Sequence, residues 1–507
     1  MAKLTFSGTT QEVLSAPISV IDANTIVTIT DNAYTLANLK TIVVGRTYPV
    51  VLQKTAAAVA IEGDAADLIT MLAGVSSYTG ALKATDASIS AAQLNTIAAG
   101  TTGKVTATLV DTTIDAALVA ALKDVKATDA ITFKTTDTAL DGNAEINALI
   151  SLNKILPKAD WSNIATIEGT ANDVSIIKQA LAIAKNPLLE VTIDPTTIIS
   201  AADANAIAKL AGGVLTATIK DGSVAATLKA LSDIDGTVDD LTFKTTDKSA
   251  KASDLVALAA LIKTPANLDV SAVKTVTGTA ADAASGDIAA ALGLTNIALD
   301  PEVKISGTVD GAYIKAIIDA TTGKVTATLK ADTATALVAA LTDVNLPTGG
   351  NAINVTVNDT IVDAANLAKV AGVSKWTSGK IKVDSLEVAG DFVEVNELYI
   401  TNKAQFTGLG NEKVEITGTE SALNVDAIAK ATSGILEATV TDATANVLVS
   451  QLKNANAKDA LTIKVIDGAA GTTTSAKDLL TLDGKTSVPV NAGTVTAISG
   501  SVADVNK

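Results

Sequence analysis

With neither cysteine nor histidine among its 507 residues, the chain can do chemistry only through carboxylates, hydroxyls, amides and lysine amines. A thiolate metal site, a Ser-His or Cys-His nucleophile, an imidazole base and a disulfide framework are all unavailable. Zinc and haem give way to the hard cations that oxygen ligands suit, Ca²⁺ or Mg²⁺. Asp141-Gly142-Asn143, Asp221-Gly222-Ser223 and Asp467-Gly468 look like fragments of calcium loops. None has the dense Asp spacing of an EF-hand or a nonapeptide calcium repeat, so tight-turn chemistry accounts for them. Asp239-Asp240 offers two carboxylates for acid and base work, yet neighbours on a strand point to opposite faces. Gly323-Lys324-Val325 has the Gly-Lys pair of a phosphate loop without the earlier glycine or the following Ser or Thr. The expectation is therefore a non-enzyme, with no catalytic residue, no cofactor and no metal site.

What must position these groups is an internal repeat. Val105-Thr106-Ala107-Thr108-Leu109 returns at Leu215, at Val325 and, more loosely, at Leu436, in steps of 110, 110 and 111 residues. A second anchor, Ile131 to Asp137, returns at Leu241 to Asp247, Ile353 to Asp359 and Leu461 to Asp467. The third is Ile167-Glu168-Gly169, matched at Ile61, Val276, Val388 and Ile498; a fourth unit starts near Val191, Ile297 and Glu415. Self-similarity at a fixed period marks a stacked architecture whose units bury their apolar faces only against neighbours.

Within a unit, Val105, Ala107 and Leu109 share one face and the two threonines the other, as a half-buried strand requires. Ile114, Ala117, Leu118, Ala121, Leu122 and Val125 follow at helical steps and predict a short helix. Ser90-Ala91-Ala92-Gln93 is a capping box and Ser200-Ala201-Ala202-Asp203 a close relative. Gly103, Gly213, Gly323 and Gly434, each two residues before its strand, are expected to end helices in the left-handed conformation. Outward Thr-x-Thr pairs could order water on an ice-binding face, but they occur in some coils only, Glu437 replaces one, and threonine favours strands in any case.

The expected fold class is α/β, a repeat solenoid of short parallel strands alternating with short helices, leucine-rich-repeat-like, with about four coils per 110-residue block. About 17 or 18 coils at strand spacing would make a sheet on the order of 80 Å long if uninterrupted. Four α/β domains in a row are the alternative, disfavoured by the lack of Pro- or Gly-rich linkers. The expected divisions are an N-terminal cap or partial repeat at 1–84, blocks at 85–193, 194–301 and 302–412, and a fourth block with C-terminal cap at 413–507.

Two regions break the rhythm. Trp376, Phe392, Tyr399 and Phe406 gather aromatics into 376–412, where Phe392 to Ile400 reads as strand-like alternation. The first 80 residues hold Phe6, Tyr34, Tyr48, Tyr78 and the single arginine, Arg46. Aromatics and arginine mark interface centres, so Arg46, Tyr34, Tyr48, Trp376, Phe392, Tyr399 and Phe406 are candidate interface residues, the first group as an attachment region; filling of a wider core layer is the plain alternative. The net charge of −16 argues against nucleic acid and anionic membrane. There is no signal-peptide h-region and no apolar run of membrane-spanning length, so no membrane insertion is expected.

Ser200-Ala201-Ala202-Asp203-Ala204-Asn205, Thr321-Thr322-Gly323-Lys324-Val325-Thr326-Ala327-Thr328 and Thr275-Val276-Thr277-Gly278-Thr279-Ala280-Ala281-Asp282 resemble the Ala/Thr/Val/Asp-rich repeats of very large surface proteins of marine picocyanobacteria and of structural appendage proteins of their tailed phages. The resemblance covers most of residues 60 to 507. It implies an extracellular or virion-surface structural protein and carries no functional residue across. The expectation that follows is a virion protein forming a horn, knob or fibre on capsid or tail, partnered by copies of itself and other structural proteins. A cell-surface layer or adhesion protein is the alternative, and a glycan- or ice-binding solenoid a third.

Overall fold

The computed structural model describes residues 4–17, 20–21, 25–31, 35–44, 50–52, 61–76, 78–342, 351–373, 380–469 and 472–507. Tyr34, Arg46, Tyr48 and Trp376 lie outside the described residues. The chain is α/β: short strands alternate with short helices, all recorded strand pairs are parallel, and no sheet among the described residues closes into a barrel. It forms two compact units, one of Met1–Gly222, Ala226–Lys244 and Leu258–Leu268, the other of Ser223–Ala225, Thr245–Ala257 and Asp269–Lys507. The residues that divide them fall inside the stretch 194–301.

In the first unit one sheet runs Leu4–Gly8, Thr25–Ile29, Val50–Leu52, Val75–Ser76, and a second runs Ile61–Gly63, Leu82–Ala84, Val105–Thr108, Ala130–Thr132. A third holds Ala139–Asp141, Thr166–Gly169, Leu189–Ile193, Gly212–Thr218 and Asp240–Lys244 in that spatial order. In the second unit one sheet holds Thr275–Thr279, Glu302–Val309, Val325–Leu329, Ala352–Val357 and Ile381–Val383. Another runs Ile361–Asp363, Glu387–Gly390, Lys413–Glu420, Leu436–Val440, Ala460–Thr462. Sheets therefore change over at the second anchor: one coil gives Ala130–Thr132 to one sheet and Ala139–Asp141 to the next. Among the described residues neither unit contains one uninterrupted ribbon.

Alternation works as the residues require. Val105, Ala107 and Leu109 are buried while Thr106 and Thr108 stay half-exposed, and the helix Ala116–Ala121 buries Leu118, with Ile114, Leu122 and Val125 flanking it in the core. Each fully buried Leu, Ile or Val contributes about 1.5–3 kcal/mol. Ser90 and Gln93 form the reciprocal capping box at Ala91–Ala99. Ser200 caps Ala201–Ala211 through the Asp203 N–H, and the Asp203 carboxylate takes the Ser200 hydroxyl rather than its backbone N–H.

The four glycines act differently from expectation. None of Gly103, Gly213, Gly323 and Gly434 has a positive φ; the neighbouring Gly212, at φ 73°, ends its helix. A Cβ on Gly103, Gly323 or Gly434 would lie 2.2, 2.2 or 1.8 Å from the carbonyl oxygen of Gly80, Pro301 or Glu412. They are small because two backbone turns touch, not because the chain turns left-handed.

The strand-like reading of Phe392 to Ile400 is also corrected. Asp391 and Glu394 form a capping box that starts the helix Phe392–Asn396, which widens into a π turn over Glu397–Thr401. Val395, Leu398 and Tyr399 are buried at helical spacing.

Candidate functional site

Most of the polar positions shared by the sequence repeats are spent on backbone groups about two dozen residues away. Asp129, Asp239 and Asp459 are almost fully buried, and each accepts a backbone N–H of a preceding strand: Val105 N to Asp129 at 2.8 Å, Leu215 N to Asp239 at 2.9 Å, Leu436 N to Asp459 at 3.1 Å. The second carboxylate oxygen takes the N–H of Lys126, Asp235 or Asn456. Asn351 holds the same place in the third block and accepts from Val325 N at 2.8 Å. Asp239-Asp240 is thus no acid–base pair: Asp240 instead accepts from the Asn267 amide at 3.0 Å.

The Asp that closes the second anchor accepts a backbone N–H at or just before the start of an earlier helix in three of its copies. Asp247 accepts from Val224 N at 2.8 Å and Asp359 from Ala334 N at 2.6 Å, each the first residue of its helix, and Asp137 accepts from Ile114 N, two residues before Ala116–Ala121. In the fourth block Asp467 turns to Thr496 N and Oγ1 instead. The Thr-x-Gly turns are a third staple. Thr101, Thr321 and Thr432 donate to the carbonyls of Gly80, Pro301 and Gly410 and accept from the N–H two residues on.

A fourth device joins successive helices. Asn95 donates its amide to Asp124 at 3.0 Å and accepts the Asp124 N–H at 2.8 Å; Asn205 and Asp233 repeat this at 2.8 and 2.7 Å. In the fourth block the residues are exchanged, with Asp426 accepting both the N–H and the side-chain amide of Asn454. The exchange keeps one donor opposite each acceptor, which yields a prediction. Asn95→Asp alone sets two carboxylates together and lowers stability by about 1 kcal/mol, and adding Asp124→Asn restores most of it, as urea denaturation of the single and double variants will read.

Two open places gather side chains capable of chemistry. A groove of about 390 Å³ lies at the C-terminal ends of Ala139–Asp141, Thr166–Gly169 and Leu189–Ile193, where parallel sheets of α/β proteins place ligands, and is lined by Asp141, Glu168, Thr170, Thr192 and Asp194. Local bonds claim several of these groups. The Asp194 carboxylate accepts the Thr196 hydroxyl and N–H at 2.7 and 2.8 Å, which hold its pKa below the usual range. Thr170 donates to Asp173, and Gly142 N–H to the Glu168 carbonyl. The threonines of the same sheet stand in register, Thr192 beside Thr216 and Thr218 beside Thr242, but the first row continues into Glu168 and Asp240 and is no flat hydroxyl surface.

The second place is on the sheet of the other unit, where Lys413 lies 3.2 Å from Glu387 and 2.7 Å from Glu437. Glu415, the residue paired with Glu437 and two along from Lys413, has its pKa raised by partial burial, by its hydrogen bond with Glu387 and by the charge of Glu437. A raised value means that the group is protonated more readily in the folded state than in the unfolded chain. Stability from this group is therefore present below the ordinary glutamate range and lost as pH rises through the raised value. Glu415→Gln should leave the melting temperature unchanged under acid conditions and raise it slightly at pH 7, the two-pH comparison being the check. Among the described residues no group of three or more acidic side chains is arranged to hold a metal ion.

The aromatic candidates divide. Phe392 is half-buried at the start of its helix. Tyr399 and Phe406 are buried, so their rings fill the core of their own unit. Burial and the neighbouring Glu412, to which the Tyr399 hydroxyl donates, push the phenol pKa far up. Glu412 also accepts Gly410 and Asn411 N–H, so the wider layer is closed by one buried carboxylate. What sequence reasoning passed over were the acceptors that bond between repeat units; their signals were the Asp or Asn two residues before every copy of the second anchor and the Asp ending it. No family model matches the chain, and no curated protein matches it.

Proposed function

We propose that this chain is a non-enzymatic structural protein of a phage virion, forming a surface appendage such as a horn, knob or fibre on capsid or tail. Its coils, about four per 110-residue block, are read as a leucine-rich-repeat-like solenoid, with copies of itself and other virion proteins as partners. One observation carries the reading: the repeated polar residues, Asp129, Asp239, Asp459 and the Asn-Asp clips among them, bond backbone or side chains of adjacent coils instead of converging on a substrate-sized pocket. The net charge of −16 suits a body that must stay soluble and has no use for nucleic acid. No described helix is long and apolar enough to cross a membrane.

Mass spectrometry of purified phage particles tests this directly. Recovery in stoichiometric amounts is the expected result; abundance on uninfected cells overturns it in favour of a cell-surface layer or adhesion protein. A glycan or ice-affinity signal abolished by Thr106→Lys with Thr216→Lys would replace the structural reading with a binding one.

A further inference from the structure

Equivalent outer faces of two sheets carry opposite charge. In the first unit Ala139–Asp141, Thr166–Gly169 and Leu189–Ile193 lie side by side, with Thr166 beside Ala139 and Glu190. In the second unit Ser249–Lys251, Thr275–Thr279 and Glu302–Val309 repeat that register, with Thr275 beside Ser249 and Glu302. The third anchor fixes the match, Ile167 answering to Val276. Asp141 therefore answers to Lys251, Glu168 to Thr277 and Thr192 to Lys304. The turns before the strands match as well: Ala165 N–H donates to the Thr138 carbonyl at 2.7 Å, and Lys274 N–H to the Lys248 carbonyl at 2.8 Å.

Alternation along each strand turns these charged side chains away from the buried face. The first unit exposes Asp141, Glu168 and Glu190, with no lysine at the matching positions. The second exposes Lys248, Lys251, Lys274 and Lys304, and the one carboxylate among these positions is Glu302, 3.8 Å from Lys304. The sheet holding Glu387 and Glu415 is acidic too, but there Lys413 already lies 3.2 Å from Glu387 and 2.7 Å from Glu437. Asp141, Glu168 and Glu190 have no such neighbour among the described residues; the ion pairs of that stretch are Lys134 with Asp160 and Lys178 with Asp203. Their face is also grooved, the cavity of about 390 Å³ being walled by Asp141, Glu168, Thr192 and Asp194 among others. A lysine stem is long enough to enter such a groove and carries three donors for its oxygens.

We infer that the lysine face of the second unit is a docking surface for a second copy of the chain, whose acidic groove in the first unit receives it. Charge selects the partner. The whole chain carries −16, so copies repel over most of their surface, and a face of lysines is where that sign reverses. Spacing fits as well as charge. Lys251, Thr277 and Lys304 stand in one row across three neighbouring strands, as Asp141, Glu168 and Thr192 do. Both rows step by the same strand separation, about 4.8 Å, so ammonium groups of one row meet carboxylates of the other at matching intervals. The contact joins two different faces, and each copy carries one of each, so the association is head-to-tail.

The inference rests on the part of the proposed function that makes copies of the chain its partners, but its readout is association of the isolated chain, so it can fail while recovery in particles succeeds, and the reverse. Sedimentation velocity at about 0.05 M salt should show concentration-dependent association that weakens at least about tenfold at about 0.5 M. Lys251→Glu with Lys304→Glu should stop it, and so should Asp141→Lys with Glu168→Lys. Each pair should leave the thermal transition in place, since all four side chains are exposed. Mixed, the two variants should associate again, because each carries the charge that the other lacks. A monomer at every concentration in low salt, association untouched by the reversals, or variants that stay apart on mixing would each overturn the proposal. Heparin held through Lys251 and Lys304 by a chain that stays monomeric would assign the lysines to a polyanion instead.

Discussion

Gly434→Ala lowers the melting temperature of the unit that contains it on the order of 10 °C, corresponding to about 3 kcal/mol or more. A Cβ there would sit 1.8 Å from the Glu412 carbonyl oxygen and 2.7 Å from its carbon, separations no side-chain rotation relieves. Nor can the two turns part easily. Ser433 N–H and the Thr432 hydroxyl both hold the Gly410 carbonyl, at 2.7 and 3.2 Å, while the Glu412 carboxylate ties down Gly410 and Asn411. Gly372 is the control: it lies in the helix Ala364–Val373 with nothing within 4 Å of its Cβ position, so Gly372→Ala should be neutral or stabilising by up to about 1 kcal/mol. Calorimetry on both variants checks the pair, and a Gly434→Ala protein melting with the parent would refute close backbone contact as the reason for that glycine.

Asp459→Ala should cost about 3–5 kcal/mol. The residue is 1% exposed, and its carboxylate receives Leu436 N at 3.1 Å, Asn456 N at 2.9 Å and the Asn456 amide at 3.1 Å. Alanine leaves those donors without an acceptor where water does not reach, and the full desolvation penalty falls on them. Asp459→Asn keeps one acceptor oxygen for the Leu436 N–H, as Asn351 does for Val325 in the third block. It should lose about half as much. Urea midpoints for the two variants decide the matter; equal losses would mean that one retained oxygen does not hold the Leu436 N–H and would refute that bond as the residue's role, whereas an unchanged Asp459→Asn protein would mean that the side chain only fills space.

Much of the local architecture could be read from residue order. Alternation in Val105 to Leu109, the Ser90 and Gln93 box and the recurrence of four anchors all arise from interactions within a strand or one helical turn, where spacing and geometry coincide. The reading failed at Phe392 to Tyr399, since Val393, Val395 and Glu397 mimic a period of two although Asp391 and Glu394 had already committed the segment to a helix. It failed again at Gly103, Gly323 and Gly434, because a residue may be small to fit its own torsion angles or to admit another chain segment, and composition does not separate the two.

The amino-acid order by itself determined the alternation of strand and helix, the repeat length and the exclusion of thiol and imidazole chemistry, for these depend on side-chain types and near neighbours. Only the tertiary structure decided which partner each buried Asp would hold and that Tyr399 and Phe406 would be core and not surface. Those outcomes turn on which coil lies alongside, 23 to 26 residues away for the buried Asp and Asn staples, and pairing over that span is fixed by packing and backbone registry that no local pattern encodes.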